Sequence, residues 1–266
     1  QLKGIDILVF DIQDVGVRFY TYISTLHYVM EAAAENNIKV IVLDRPNPNG
    51  HYVDGPILDT NFKSFVGMHP VPIVHGMTIG EYAKMINGEN WITTRCELIV
   101  IEMENYTHNT NYDLPIKPSP NLQNARAVNL YPSLCLFEGT NISVGRGTDY
   151  PFLHFGAPYL KSNYSFMPRS GEGSKYPKHE DIVCFGTDLH FQEDYLTALN
   201  LNWIIETYKQ CPKKEEFFNT FFDKLAGTDK LKKQIIAGKI VKEIKASWKG
   251  GLEKFMEIRG KYLIYK

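Results

Sequence analysis

The sequence has few cysteines, no long apolar run and no excess of charge of one sign. Its four cysteines are Cys96, Cys135, Cys184 and Cys211. No two of them have the Cys-x-x-Cys spacing typical of zinc or thioredoxin-like sites. The longest apolar runs, Ile7–Phe10 and Val40–Leu43, are too short to span a bilayer. With 29 basic and 30 acidic residues, the chain does not have the composition of a nucleic-acid-binding protein.

Several motifs that mark catalytic or cofactor sites are also absent. The eight histidines form no His-Glu-x-x-His pair, and the Asp11–Asp14 segment is too short for an EF-hand loop. No Gly-x-Ser-x-Gly elbow is present. The glycine-rich stretch Gly139–Gly147 lacks the Gly-Lys-Ser/Thr of a P-loop and the third glycine of a dinucleotide-binding loop. The sequence therefore predicts no metal and no cofactor, which argues against a nucleotide- or phosphate-binding protein.

Strand-like and helix-like segments alternate through the first half of the chain. The short apolar runs Ile5–Phe10 and Ile38–Leu43 are typical of strands in a parallel sheet. Between them, residues 21–36 repeat apolar side chains at helical spacing, with Ser24 or Thr25 as the expected cap. This order predicts a βαβ unit.

The same alternation continues to about residue 102. Thr78 and Glu81 have the spacing of a capping box, which predicts a helix that ends near Gly88. Val71–Val74 and residues 97–102 have strand-like composition. The first half of the chain is therefore predicted to form an α/β fold.

Prolines and asparagines cluster between residues 115 and 124, and we predict a domain boundary there. The boundary separates a first lobe, residues 1–127, from a second, smaller α+β lobe, residues 128–266. In the second lobe, Leu134–Phe137 and Ile182–Phe185 are the predicted strands. Helical patterns cover residues 195–210, 215–225, 229–237 and 251–259, with Gly227 and Gly238 as expected helix stops.

Polar side chains cluster where the first two predicted strands end, the edge at which open α/β sheets bind ligands. They are Asp11, Gln13, Asp14 and Arg18 in the first loop, and Asp44, Arg45 and Asn47 in the second. Because parallel strands align their carboxyl ends, the two loops should lie side by side. Each loop can also be read as a structural turn pinned by an Asp–Arg pair, and both interpretations stay open at this point.

The stretch from residue 138 to 148 is the most distinctive in the chain. Its glycines allow the backbone to approach a ligand closely. Its hydrogen-bonding side chains include Glu138, Asn141, Ser143 and Arg146. This density of polar groups favours contact with a ligand over a purely structural loop.

Two further residues allow a catalytic and a structural interpretation. His75 has the chemistry of a general acid or base, but a lone histidine is more often a packed side chain. Glu81 is a carboxylate, but its position three residues after Thr78 favours a helix cap.

Strings of residues along essentially the whole chain resemble one family. They are DILVFDIQDVGVRFYTYISTL at 6–26, LDRPNP at 43–48, FVG at 65–67, HGMTIGE at 75–81, PSPN at 118–121, FEGTN at 137–141, GRGT at 145–148, PF at 151–152, FGAP at 155–158 and RGKYLIY at 259–265. On these motifs the sequence resembles the NamZ-like exo-β-N-acetylmuramidases of glycoside hydrolase family 171.

The resemblance implies a Rossmann-like first lobe, a smaller second lobe and a cleft between them. It implies a bacterial enzyme of cell-wall recycling that removes N-acetylmuramic acid from the non-reducing end of peptidoglycan fragments. The expected partners are muramyl-containing fragments, with no nucleic acid and no membrane span. The expected location is periplasmic or secreted.

The resemblance also implies which residues face the cleft. Glycosidases use two carboxyl groups, and the candidates here are Asp11, Asp14 and Glu138. The implied substrate-binding residues are Gln13, Arg18, Asp44, Arg45, Asn47, His75, Asn121, Asn141, Ser143 and Arg146. We predict that Asp11, Asp44 and Glu138 meet at one cleft. We also predict that Arg45, Arg18 or Arg146 contacts the lactyl carboxylate of N-acetylmuramic acid.

The family carries a Glu-His-Gly segment ahead of its counterpart of the first strand, and this segment is the implied source of the catalytic acid. No such signature precedes Ile5 in this sequence. We therefore expect a parallel sheet that is incomplete at its N-terminal side, with an edge that is either exposed or covered by a partner. We also expect residues 1–266 alone to hydrolyse a chromogenic muramide poorly. The alternative function is a noncatalytic module that binds cell-wall sugars.

Overall fold

The computed structural model describes residues 2–192 and 194–265. These residues form two compact units. The first unit contains residues 2–112 and the C-terminal residues 250–265, and the second contains residues 113–249.

The first unit is built on a three-stranded parallel sheet. Its elements are β1 (Ile7–Phe10), α1 (Tyr22–Glu35), β2 (Lys39–Leu43), α2 (Ile79–Gly88) and β3 (Leu98–Ile101). The strand order is β1-β2-β3, and Val9 pairs with Ile41, which pairs with Ile99. The predicted α/β class and the predicted βαβ unit are confirmed.

Helix α1 forms because its apolar residues recur on one face. Leu26, Met30 and Ala33 are buried there. The expected cap at Ser24 or Thr25 is wrong, because the helix begins after Thr21 and makes no side-chain cap bond. Inside the helix, the Ser24 hydroxyl donates to the carbonyl of Phe65 at 2.7 Å instead.

One face of the sheet is covered and the other is exposed. Val40 and Val42 belong to the core that includes apolar residues of α1 and α2. On the opposite face, the exposed fractions are 50% for Ile7, 59% for Val9, 41% for Ile99 and 51% for Ile101. A parallel sheet normally has both faces covered, so this apolar face is unusual.

The strand expected at Val71–Val74 does not form. Val74 makes only isolated bridges, with Val17 and with Asp54. The reason lies in the sequence around it, because Pro70 and Pro72 have no N–H to donate to a ladder.

The second unit combines helices with an antiparallel sheet. Its elements are α3 (Ala125–Leu134), β4 (His154–Ala157), β5 (Tyr164–Phe166), β6 (Cys184–Asp188), α4 (Asn202–Gln210), α5 (Phe222–Ala226), α6 (Lys230–Ile236) and α7 (Val241–Ala246). The strand order is β4-β6-β5. A last helix, α8 (Lys249–Gly260), leads the chain back to the first unit. The predicted α+β class of this part of the chain is confirmed.

Three predictions for the second half need correction. Leu134–Phe137 is not a strand but the end of α3 and part of a 3₁₀ turn, Cys135–Gly139. A short buried apolar run has the same pattern in a helix as in a strand, so periodicity alone does not separate them. The helix expected from residue 195 begins only at Asn202, and residues 215–225 divide into a 3₁₀ turn, Lys214–Glu216, and α5.

No helix of the described residues has both the length and the apolar character needed to cross a membrane.

Candidate active site

The loops after β1 and β2 lie side by side, as the parallel arrangement predicts. The guanidinium of Arg45 binds the carboxylate of Asp11, with Nε and Nη2 at 2.7 and 2.6 Å from Oδ1. Both side chains are partly exposed. The pair gives the carboxyl edge of the sheet one anion and one cation that remain accessible to a ligand.

Polar side chains fix the backbone around this pair. The amide of Gln13 donates to the carbonyls of Asp14 and Pro46, at 2.7 and 2.8 Å, and so ties the first loop to the second. Asn47 is buried; its amide donates to Met77 O at 2.9 Å, and its Oδ1 accepts from the Asn49 N–H. These contacts make the two loops a rigid platform.

Asp14 is a buried carboxyl group. Its Oδ2 accepts from the Gly16 N–H at 2.7 Å, while Oδ1 is buried without a hydrogen-bond partner among the described residues. Burial raises the pKa of Asp14 to about 7, although the Gly16 and Val15 N–H groups act to lower it. A carboxyl group with this pKa holds its proton for much of the time at neutral pH.

Arg18 is fully buried. Its Nη1 donates to the carbonyls of Pro56 and Val71, at 2.9 and 2.6 Å, and burial lowers its pKa to about 9. Arg18 therefore ties together two distant loop segments beneath the sheet edge.

Asp44 caps the start of α2. Its Oδ1 accepts from the N–H groups of Gly80 and Arg45, at 2.8 and 3.0 Å. Its Oδ2 accepts from the hydroxyls of Thr78 and Tyr265, at 2.7 and 2.8 Å. Burial raises the pKa of Asp44, and these four donors oppose that shift. Both oxygens are thus engaged inside the first unit.

Thr78 and Glu81 form the predicted capping box, which confirms the structural interpretation of Glu81. Oε2 of Glu81 accepts from the Thr78 N–H at 2.9 Å. Oε1 accepts from His108 Nε2 at 3.0 Å and from the Ile264 N–H at 2.8 Å. This buried carboxylate joins α2 to the C-terminal segment.

His75 is buried, and its Nδ1 accepts from the Met77 N–H at 3.2 Å. Burial lowers its pKa to about 3, with further lowering by Arg259 and Arg18. The ring is therefore neutral with its proton on Nε2, an atom that has no partner among the described residues. His75 is therefore packed inside the first unit, and its role in substrate binding stays a prediction.

Sequence reasoning missed a buried chain of aromatic polar groups beside these loops. His69 Nε2 lies 2.9 Å from His27 Nδ1, and His69 Nδ1 lies 3.0 Å from the Tyr82 hydroxyl. His69 also stacks on Trp91 with ring centroids 4.3 Å apart. Because the members are separated by 13 and 42 positions, no local motif could have revealed them.

In the second unit, the stretch from residue 138 to 148 is organised by an ion pair. Arg146 Nε donates to Glu138 Oε1, and the guanidinium lies 5.1 Å from the centre of the Phe152 ring. Gly145 and Gly147 adopt positive φ angles of 76° and 80°, which favour glycine. Both members of the pair are partly exposed.

The other residues predicted in this unit have internal partners. Asn141 Oδ1 accepts from the Tyr159 hydroxyl at 2.6 Å, and Ser143 Oγ accepts from the Gly145 N–H at 3.2 Å. Asn121 lies elsewhere in the unit, where its amide donates to Gly173 O at 3.0 Å. These contacts stabilise the loops that carry them.

Lys178 is a second group that sequence reasoning missed. Its ammonium donates to the carbonyls of Phe137, Thr140 and Ile142, the first and last at 3.2 and 3.0 Å. Burial lowers its pKa to about 8, and Glu138 opposes this shift. Lys178 lies more than 30 positions beyond the carbonyls that it binds, so the sequence carries no local signal for this role.

The described residues contain no cluster of three His, Cys, Asp or Glu side chains suited to a metal ion. All four cysteines are free and buried. Burial raises the pKa of the Cys96 thiol, which makes it a poor nucleophile at neutral pH.

Two family models match the chain end to end. The N-terminal model of exo-beta-N-acetylmuramidase NamZ matches residues 1–126, and the C-terminal model matches residues 129–265. The chain belongs to the NamZ family. It is 42% identical over 285 residues to the peptidoglycan beta-N-acetylmuramidase NamZ of Bacillus subtilis strain 168, an alignment that covers 99% of this chain and 68% of that protein.

Crystal structures of two DUF1343-family proteins from Bacteroides fragilis NCTC 9343 have the same fold. One is 50% identical, with a TM-score of 0.96, and the match covers 98% of this chain and 76% of that chain. The other is 26% identical, with a TM-score of 0.84, and the match covers 100% and 76%.

The residues that match the N-terminal NamZ family model include the loops of Asp11, Asp14 and Arg45. The residues that match the C-terminal family model include the loop of Glu138 and Arg146. The structure brings Asp11 and Arg45 together in one unit, and Glu138 and Arg146 together in the other. The joining of the two sets at one cleft stays a prediction, as do the boundary at residue 127 and the roles of the individual residues.

Proposed function

We propose that this chain is a glycoside hydrolase that releases N-acetylmuramic acid from the non-reducing end of peptidoglycan fragments. The observation that carries the proposal is the match of both NamZ family models over nearly the whole chain. The 42% identity to a peptidoglycan beta-N-acetylmuramidase supports it.

The family resemblance implies an acid in a Glu-His-Gly segment; among the carboxyl groups of the described residues, Asp14 is the one best suited to act as a general acid. An efficient acid has a pKa near the working pH, and burial raises the pKa of Asp14 to about 7. Its unpartnered Oδ1 leaves one oxygen free to interact with a leaving group. Its role requires that the residues packed around it move to admit substrate, since the carboxyl is buried.

The second carboxylate of the mechanism is Asp11 or Glu138. Each is held against an arginine, Arg45 or Arg146, and each is partly exposed. A carboxylate in this position is available as a nucleophile, a base or an electrostatic stabiliser.

Recognition of the muramyl lactyl group calls for a planar cation at the surface. Arg45 and Arg146 meet this requirement, because each is partly exposed. Arg18 does not, since it is fully buried and bonded to backbone carbonyls. We therefore assign the lactyl contact to Arg45 or Arg146. The location that suits a peptidoglycan substrate is periplasmic or secreted.

The first test is the release of N-acetylmuramic acid from a chromogenic muramide, with the matching N-acetylglucosaminide as the control substrate. Muramide-specific release supports the proposal. Binding of muramyl sugars without any release would instead assign the noncatalytic alternative, and an absence of both binding and release would reject both functions.

The second test concerns the carboxyl groups. Asp14→Asn is expected to lower turnover by about 10²–10⁴-fold, the usual contribution of a general acid. Asp11→Asn and Glu138→Gln decide which carboxylate works with it. Asp6→Asn, at an exposed position, is the matched control. Full activity of Asp14→Asn would overturn the assignment of the acid.

A further inference from the structure

A cavity of about 440 Å³ lies in the first unit. Neither Asp11 nor Arg45 lines it. The polar wall includes His51, Tyr52, His108 and Arg259, and the apolar wall includes Leu252 and Met256. Met256 is exposed and His51 is partly exposed, so the cavity reaches the protein surface.

Arg259 supplies a buried positive charge to this cavity. It is only 8% exposed, and its Nε and Nη2 donate to Gly76 O at 3.1 and 2.5 Å. The described residues give Nη1 no acceptor, and none of their carboxylates lies within ion-pair distance of the guanidinium. Buried charges are normally paired, so the free edge of Arg259 is suited to an anion.

The charges around the cavity favour a monoanion. Glu81 acts on Arg259 through space and is bonded to His108, whose Nδ1 is buried without a partner in the described chain. The single cation of Arg259 is thus already opposed in part by one carboxylate. A dianion such as phosphate would add two negative charges beside Glu81, whereas a carboxylate adds only one and is the less costly ligand.

The apolar wall restricts the rest of the ligand. Leu252 and Met256 belong to α8 and face the same cavity as the guanidinium of Arg259. Methionine is flexible and accommodates small alkyl groups. The chemistry of the two walls therefore matches a carboxylate next to a short alkyl group.

We propose that this cavity binds a small carboxylate with an adjacent alkyl group, held by Arg259 Nη1. The choice of natural source rests on the proposed function. Peptidoglycan fragments contain this chemistry in the lactyl ether of muramic acid and at the free carboxyl end of their peptides. The site would bind part of a fragment, or released N-acetylmuramic acid.

Four probes test the chemistry by titration of the whole protein. N-Acetylmuramic acid carries the lactyl carboxylate, and N-acetyl-D-alanine carries a peptide-type carboxylate beside a methyl group. N-Acetylglucosamine lacks the carboxylate, and inorganic phosphate is the dianion control. Binding is followed by calorimetry and by the NMR signal of the Met256 methyl group, assigned through Met256→Leu.

At least one carboxylate probe is expected to bind and to move the Met256 signal, whereas N-acetylglucosamine and phosphate do not move it. Binding of only N-acetylmuramic acid identifies the lactyl ether as the source, and binding of only N-acetyl-D-alanine identifies the peptide end. A Met256 signal that moves with neither carboxylate, or equally with phosphate, overturns the proposal.

Two variants test the cation and the apolar wall. Arg259→Gln is expected to weaken carboxylate binding by about tenfold or more. Met256→Glu places a negative charge beside the bound carboxylate and is expected to weaken binding by about fivefold. Arg95→Gln, at an exposed position in the same unit, is the control. If Arg259→Gln fails to fold, Met256→Glu still decides, because Met256 is 44% exposed and a substitution there should change the unfolding temperature little.

Unchanged carboxylate binding by calorimetry in both variants would overturn the proposal. Turnover of the chromogenic muramide is measured separately. Normal muramide turnover without carboxylate binding at the cavity rejects the carboxylate site but not the proposed function. Carboxylate binding at the cavity, with no muramide turnover and no muramyl binding at any other site, rejects the proposed function but not the carboxylate site.

Discussion

Asp14 has an environment that few aspartates share. Within the described part of the chain, only its Oδ2 has a hydrogen bond, from the Gly16 N–H at 2.7 Å, and burial raises its pKa to about 7. An unfolded aspartate has a pKa near 3.9. Folding therefore favours the protonated form of this side chain, and its contribution to stability is fully present below about pH 4. That contribution is lost as the pH rises through about 7.

Asp14→Asn should reveal this linkage. Between pH 4 and pH 7, the free energy of unfolding of the parent should fall relative to that of the variant by about 1.4 kcal/mol per pH unit. Buried histidines such as His75 have the opposite pH dependence, but they are the same in both proteins and cancel. Chemical denaturation at several pH values measures the difference, with Asp6→Asn as the control. A constant difference between the two proteins across this range would contradict the shifted pKa.

Glu81 shows how one buried carboxylate joins distant parts of a unit. Its oxygens accept only from N–H groups, among them those of Thr78, Ile264 and the His108 ring. A glutamine at this position would direct its own NH₂ group at one of these donors.

We expect Glu81→Gln to lower the free energy of unfolding by about 3 kcal/mol, because a buried donor then loses its acceptor. Glu35→Gln, at the exposed end of α1, should change it by less than about 0.5 kcal/mol. Urea denaturation measures both values. Equal stability of the two variants would show that the Glu81 contacts contribute little.

At the scale of elements, the loop from residue 138 to 148 depends on a side chain outside it. The Lys178 ammonium bonds three carbonyls, those of Phe137, Thr140 and Ile142. These bonds fix the backbone from which the Glu138 side chain reaches Arg146. The loop is therefore prearranged, which reduces the entropy lost when a ligand binds.

Lys178→Met should loosen this loop. It leaves three carbonyls without their cation and is expected to cost about 2 kcal/mol in the free energy of unfolding. Hydrogen exchange should become faster at the amides of residues 138–146, while the amides of α1 stay protected. Lys224→Met, at an exposed position, is the control. Unchanged exchange in the loop would mean that the ion pair of Glu138 and Arg146 suffices to order it.

At the scale of the whole molecule, the uncovered face of the parallel sheet stands out. Ile7 and Val9 of β1 and Ile99 and Ile101 of β3 are between 41% and 59% exposed. The two strands are also the edges of the sheet. Contiguous apolar surface of this kind promotes association.

We expect residues 1–266 to self-associate as the protein concentration rises, and the double variant Val9→Lys/Ile101→Lys to associate less. Sedimentation velocity at several concentrations measures the change. The matched control is Ile116→Lys/Ile236→Lys, at exposed positions in the second unit. Equal association of the parent and the first double variant would show that the sheet face is not the contact surface.

Much of the local structure follows from patterns within a few residues. The spacing of apolar residues determined α1, and the Thr78–Glu81 pair determined the start of α2. Gly227 ends α5 with a φ of 72°, as the sequence predicts. The neighbouring positions of Asp11 and Arg45 also followed, because parallel strands end at the same edge. In each case the deciding contacts lie within one turn, one loop or one pair of strands.

The tertiary structure decided the properties that depend on burial. The sequence shows Asp14 and Arg18 as polar residues of one loop, but only packing by distant segments buries them and shifts their pKa values. It also placed Lys178 against carbonyls far away in the chain and turned Leu134–Phe137 into helix. Hydrogen bonding and apolar spacing along the chain are local quantities, whereas the removal of a group from water depends on every segment that packs around it.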